Sequence, residues 1–89
     1  MGFFYNFIIM EKHFVYILKC ADGKHYTGCT NNLEERLKRH EKGQVKSTSS
    51  RLPIELLTYL VFNDKYKAFN FEKYLKSGLG RAFMNKRLV

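Results

Sequence analysis

The hydrophobic and polar positions divide most of this chain into six candidate elements and one polar connecting segment. Phe14–Cys20 (FVYILKC) and His25–Thr30 (HYTGCT) are strand-like runs joined through Asp22-Gly23, a strong hairpin signal. Leu33, Arg36, Leu37 and His40 then recur at i, i+3, i+4 and i+7, the spacing of one side of a helix. Asn31 or Asn32 supplies its N-cap, Glu34 or Glu35 the capping-box partner, and Gly43 a stop just after Lys42. Gln44–Pro53 (QVKSTSSRLP) reads as a polar, basic loop. Ile54–Phe62 is nearly all apolar, the pattern of a strand buried on both faces. Asn63 or Asp64 caps a second helix to about Ser77, ended by Gly78, with Ala68, Phe71, Leu75 and Leu79 as its apolar stripe. Arg81–Leu88 makes a last short helix. This β-β-α-β-α-α order predicts an α+β domain, a small three-stranded antiparallel sheet flanked by helices.

The hairpin loop decides where two tyrosines point. With a two-residue turn at Asp22-Gly23, Tyr16 and Tyr26 fall on opposite faces. With a three-residue Ala21-Asp22-Gly23 loop and Gly23 as a left-handed bulge, Cys20 opposes Lys24 and Leu18 opposes Tyr26. Both tyrosines then share a face as diagonal neighbours, roughly 7–8 Å apart at the backbone. A site that uses both requires the bulged hairpin.

At 89 residues the chain makes one domain, because chains this short bury only roughly 60–65% of their unfolded surface. The sequence reads as residues 13–89 forming that domain and 1–12 an N-terminal extension, with Met10 a candidate start. Gly2–Met10 is apolar but far short of the roughly 20 residues that span a bilayer, and it lacks the basic flank of a signal peptide. Cys20 and Cys29 have no zinc-ligand or CxxC spacing and read as reduced thiols packed in strands, which points to the cytoplasm. The formal charge of +8 and pI near 9.7 fit an anionic partner. The charge is also clustered: Arg36 to Arg51, Lys46 included, is predominantly basic, and no acidic residue follows Glu72, whereas Lys73, Lys76 and Arg81 do.

Tyr16-Ile17-Leu18-Lys19-Cys20, Asp22-Gly23, Tyr26-Thr27-Gly28 and Thr30 lead into Leu33-Glu34, Arg36-Leu37 and His40; later come Glu72, Tyr74-Leu75-Lys76, Gly78 and Gly80-Arg81. In these motifs the chain resembles the GIY-YIG endonuclease family from about Phe14 to the C-terminus, and in particular its short stand-alone bacterial proteins. The resemblance implies phosphodiester hydrolysis in DNA, in repair, recombination or mobile-element processes. It implies Tyr16, Tyr26, Arg36, His40 and Glu72 as catalytic residues, with Glu72 holding a single Mg2+ or Mn2+ ion. A free tyrosine is a poor base, with a pKa of about 10. Tyr16 is therefore read as the base with His40 as its relay, Arg36 as the phosphate holder, and Lys46, Arg51, Lys73, Lys76 and Arg81 as contacts to nucleic acid. A carboxylate such as Glu72 within an apolar stripe is costly unless paired or metal-bound, and a salt bridge to Arg36 is the alternative to the ion.

Two positions depart from the family pattern. Cys29 stands where one branch carries a lysine, and Asn85 lies one residue before the family's terminal asparagine, a shift of about 100° on a helix. The resemblance implies DNA as the partner, single-stranded, branched or duplex, with a protein partner as a further source of specificity. A non-catalytic basic nucleic-acid-binding module with the same fold is the competing reading, and exposed aromatics at Tyr66 and Phe69 support a third, a protein-interaction domain. The charge leads to a direct expectation. Affinity for DNA falls with salt, each neutralised phosphate adding about −0.9 to the log–log slope on duplex and about −0.7 on single strands; a flat salt titration would remove the argument from the basic face.

Overall fold

The computed structural model describes residues 11–89; the proposed N-terminal start at Met10 and most of the 1–12 extension lie outside the described residues. The elements are β1 (His13–Lys19), β2 (His25–Thr30), α1 (Leu33–Glu41), β3 (Glu55–Phe62), α2 (Lys65–Leu75) and α3 (Gly78–Arg87). The strands form one antiparallel sheet in the order β2-β1-β3, the predicted α+β architecture.

The centre of the sheet is β1, where Val15, Tyr16, Ile17 and Leu18 are all fully buried. Alternation along a strand sends Val15 and Ile17 to one face and Tyr16 and Leu18 to the other. Val15 and Ile17 join Ala68, Leu75 and Met84 in the apolar core, so α2 and α3 cover that face. His40 of α1 contacts Tyr16 on the opposite face.

The hairpin takes the bulged form. Cys20 receives a hydrogen bond from the Gly23 amide and donates its own to the Lys24 carbonyl, Gly23 sits at φ 80°, and Leu18 pairs with Tyr26. The Asn32 side chain caps α1 by accepting from the Glu35 amide. Gly43, at φ 72°, ends the helix: its amide donates to His40 and the next amide, of Gln44, reaches Arg39.

Three local expectations change. First, β3 is an edge strand, with Tyr59 and Val61 exposed, rather than a strand buried on both faces; its apolar run serves one covered face and one open one. Second, the second helix stops at Leu75, and Gly78 begins α3 instead of ending α2, because the Ser77 side chain accepts the Gly80 amide as an N-cap. Leu79 therefore lies on α3 and is 79% exposed, outside the apolar stripe of α2. Third, the 44–53 segment, expected as a polar, basic loop, is a loop whose middle is anchored and covered: the Ala21 amide donates to the Arg51 carbonyl, the Arg51 guanidinium bonds Asp22 at 2.8 Å, and Thr48 is fully buried.

Gly80 is where α3 crosses the end of α2. A Cβ there would collide with the Tyr74 carbonyl, which is backbone and cannot swing away. At Gly78 a Cβ would meet nothing within 4 Å. Urea unfolding should thus show Gly80→Ala less stable by about 1–3 kcal/mol or more, and Gly78→Ala more stable by about 0.4–1 kcal/mol. Equal behaviour of the two variants would contradict the crossing.

Candidate active site

The site is built on Tyr16. Gly28 lies directly across the hairpin, and a Cβ at that position would fall on the Tyr16 phenol. The absent side chain is the space the ring occupies. Tyr26, two residues back on β2, shares the face of Tyr16, with ring centroids 6.2 Å apart. His40 projects from α1 edge-on to both rings, 5.6 Å from Tyr16 and 5.3 Å from Tyr26. Its Nε2 is hydrogen-bonded to Tyr16 Oη at 2.8 Å, and its Nδ1 to Thr48 Oγ1 at 2.7 Å.

Electrostatics distinguish the two tyrosines. Burial above all, and then the neighbouring Tyr26 hydroxyl, push the Tyr16 phenol well above its ordinary value, with Arg36 pulling the other way. Tyr16 has no exposed surface, whereas Tyr26 is half-buried. Of the two hydroxyls, that of Tyr26 is the more open to solvent, with the buried Tyr16 behind it.

Glu72 is placed differently from the aromatic cluster. It lies on α2, the helix that covers the Val15 and Ile17 face, and it pairs with Lys76 at 3.2 Å rather than with Arg36. The two groups approach one another across β2. Cys29, on the α2 face, feels Glu72, Arg36 and Lys76 together, and burial followed by Glu72 raises its thiol pKa. Glu72 lines one cleft with Cys29, Thr30 and Asn31; Tyr26 lines a second, of about 440 Å³, with Lys24, Lys76, Arg81 and Asn85. Lys76 thus links the Glu72 carboxylate to the cleft of Tyr26. Asn85, one residue out of register in sequence, is on that cleft.

Among the other basic candidates, Lys46 is exposed in the 44–53 segment and Lys73 lies over the Phe69 ring at 5.8 Å. Arg51 is held by Asp22, so it fastens the loop to the hairpin. Sequence reasoning missed Thr48 and the spatial role of Gly28. The glycine was visible as part of a motif; a threonine within a run of serines and threonines carried no signal of burial.

A divalent ion fits this site in one way only. Among the described residues no group of three or more His, Cys, Asp or Glu side chains could hold a metal. The Glu72 side chain is 15% exposed, and its ion pair engages one carboxylate oxygen and not the other. One carboxylate beside an open cleft suits Mg2+, which keeps several waters and takes substrate phosphate as ligand.

Residues 12–87 match the GIY-YIG catalytic domain. The chain belongs to the GIY-YIG family. It is 48% identical to a UPF0213 protein of Oceanobacillus iheyensis over 67 residues, covering 74% of this chain and 78% of that one. With a UPF0213 protein of Clostridium perfringens the identity is 46%, over 72% and 70% of the two chains. The solution NMR structure of a UPF0213 protein from Bacillus halodurans superposes with a TM-score of 0.55 at 35% identity, covering 84% of this chain and 83% of that one. GIY-YIG is a nuclease superfamily whose members generally use divalent metal ions. Among the described residues no helix is long and apolar enough to cross a membrane.

Burial first, and then the positive Arg36 and Arg39, lowers the His40 pKa. Between that lowered value and about 6.5 the unfolded chain binds a proton at His40 that the folded chain does not, so stability rises with pH through this window and is level above it. On acidification below pH 6.5 wild type should lose stability relative to His40→Gln, by at most about 1.4 kcal/mol per pH unit. Urea midpoints for both proteins at neutral and acid pH read this out, and equal acid sensitivity would mean that His40 is not held neutral by its surroundings.

Proposed function

We propose that this GIY-YIG protein is a divalent-metal-dependent endonuclease that hydrolyses phosphodiester bonds in DNA, acting in the cytoplasm in repair, recombination or mobile-element processes. The observation that carries the reading is the buried Tyr16–His40 hydrogen bond beneath the half-buried Tyr26, with Arg36 acting on the same phenol. A buried tyrosine needs a hydrogen-bond partner in any case; what goes beyond packing is that this partner is an imidazole able to take a proton, set beneath a second, half-buried tyrosine.

In this reading a water at Tyr26 attacks phosphorus. Its oxygen forms the new P–O bond, and the bond from phosphorus to the departing sugar oxygen breaks, the sugar oxygen leaving with the bonding pair and taking a proton from solvent. The proton lost by the water passes to the Tyr26 oxygen, the Tyr26 proton to Tyr16 Oη, and the Tyr16 proton to His40 Nε2, leaving an imidazolium. No isolated phenolate is needed at any stage, which suits a Tyr16 whose burial disfavours ionisation. Arg36 faces the charge that grows on the phosphate. Glu72 would hold Mg2+ or Mn2+, which when bound polarises the phosphate and assists the leaving oxygen. Lys76 and Arg81 on the Tyr26 cleft, with Lys46 and Lys73, would contact the backbone, whereas Arg51 serves the loop. With no further domain in residues 12–87, such contacts read backbone shape more than base sequence, and a protein partner is one source of added specificity.

The Lys76–Glu72 ion pair favours one alternative, a nucleic-acid-binding module in which the carboxylate is structural. Cleavage of single-stranded, branched and duplex DNA with Mg2+ or Mn2+ separates the two. Glu72→Ala is expected to lower cleavage roughly a hundredfold or more while DNA binding persists, since the ion contributes several kcal/mol to the transition state. Arg36→Ala is expected to weaken both, because a guanidinium on the phosphate acts in the ground state and more strongly in the transition state. A folded Glu72→Ala protein that cuts at the wild-type rate would transfer the conclusion to the binding module.

A further inference from the structure

Thr48 has no exposed surface and belongs to none of the motifs that mark the family resemblance. It sits in the 44–53 segment, yet its Oγ1 is 2.7 Å from His40 Nδ1, on the far side of the imidazole from Tyr16. Two proton arrangements satisfy this geometry. In one, Thr48 donates to Nδ1, and the ring proton sits on Nε2, pointing at the Tyr16 oxygen. In the other, Nδ1–H donates to Thr48, the Thr48 hydroxyl donates onward to the Val45 carbonyl at 3.4 Å, and Nε2 accepts from the Tyr16 phenol.

The second arrangement gives every proton in the chain an acceptor. Arg36, the cation acting on the Tyr16 phenol, has only donors and cannot take the phenol proton. His40 Nε2 can, at 2.8 Å, if its lone pair is free. We propose that Thr48 is a positioning residue that holds His40 as the Nδ1–H tautomer, so that Nε2 is the acceptor for the Tyr16 proton.

The loop is built to keep Thr48 in place. Its amide donates to Val45 at 3.1 Å, its carbonyl accepts from Arg51 at 2.9 Å, and the Arg51 side chain is fixed to Asp22 of the hairpin. The Asp22–Arg51 pair thereby has a use beyond loop closure, since it sets the position of the hydroxyl that sets the ring. An imidazole whose second nitrogen is hydrogen-bonded has its tautomer and orientation fixed by that bond.

The tautomer does not depend on nuclease activity, although its use in proton transfer rests on the reading above. In wild-type protein without DNA or metal, 15N NMR should show His40 Nδ1 protonated and Nε2 bare. Thr48→Val, close in shape but without the hydroxyl, should move the proton to Nε2 or mix the two forms. It should also lower cleavage on the order of ten- to a hundredfold, and Thr48→Ser should restore both. Nε2–H in the wild-type protein would overturn the proposal whatever the variants do. So would a folded Thr48→Val protein with an unchanged tautomer and rate. A wild-type protein with the Nδ1–H tautomer but no cleavage would support the positioning role and overturn the nuclease reading instead.

Discussion

A phenol with no exposed surface must find its hydrogen bond inside the protein, and most of this fold follows from how Tyr16 finds one. Leaving the hydroxyl unpaired would cost about 1–3 kcal/mol, a large share of the stability of so small a domain. His40 meets that need at 2.8 Å, and Thr48 then satisfies the far side of the imidazole. Thr48 must be carried there by a loop, and the loop is fixed by Arg51 and Asp22. Gly28 leaves room for the ring across the strand pair. A strand, a helix, a loop and a hairpin turn are therefore tied to one buried oxygen.

The second constraint is the outer edge of β2. The aromatic cluster occupies the α1 face of the sheet, and Glu72 rides on the helix that covers the other face. A substrate touching both has to straddle this strand. Residues bordering the two clefts include β2 side chains from both ends of the strand, and Lys76, at the end of α2, gathers with Arg81 and Asn85 of α3 beside Tyr26. The single carboxylate is consistent with this division: a cage of several ligands would need residues from both faces, whereas one carboxylate leaves the remaining positions to water and phosphate.

What could be read from sequence was whatever depends on local geometry. The pairing of Arg36 with His40 follows from the helical period, and the shared face of Tyr16 and Tyr26 follows from one glycine that can adopt positive φ. Glu72 was placed on an otherwise apolar side of its helix, and its side chain is indeed mostly covered. What could not be read depends on how elements pack. The apolar run of β3 looks the same whether one face is covered or two. Gly78 follows a helix as a stop signal would, and only the Ser77 side chain turning toward the Gly80 amide shows that a new helix begins. Nor does periodicity reveal which sheet face a helix covers: that Glu72 rides on the helix over the Val15 and Ile17 face is visible only in the packing.

Because the site is also the core, function and stability are coupled here more tightly than in a larger enzyme. Tyr16 is among the most buried side chains of the described residues and is hydrogen-bonded through His40 to a loop, so removing its hydroxyl leaves His40 Nε2 without its partner as well as breaking the proposed relay. Glu72 and Arg36 differ in kind. Both are only partly buried, and the ion pair of Glu72 with Lys76 bridges i and i+4 on a helix surface, a geometry worth a few tenths of a kcal/mol. Loss of activity at Tyr16 or His40 thus mixes chemistry with packing, while loss at Glu72 reports chemistry with little change in the fold. That asymmetry makes the carboxylate the cleanest position from which to ask whether this site cuts DNA.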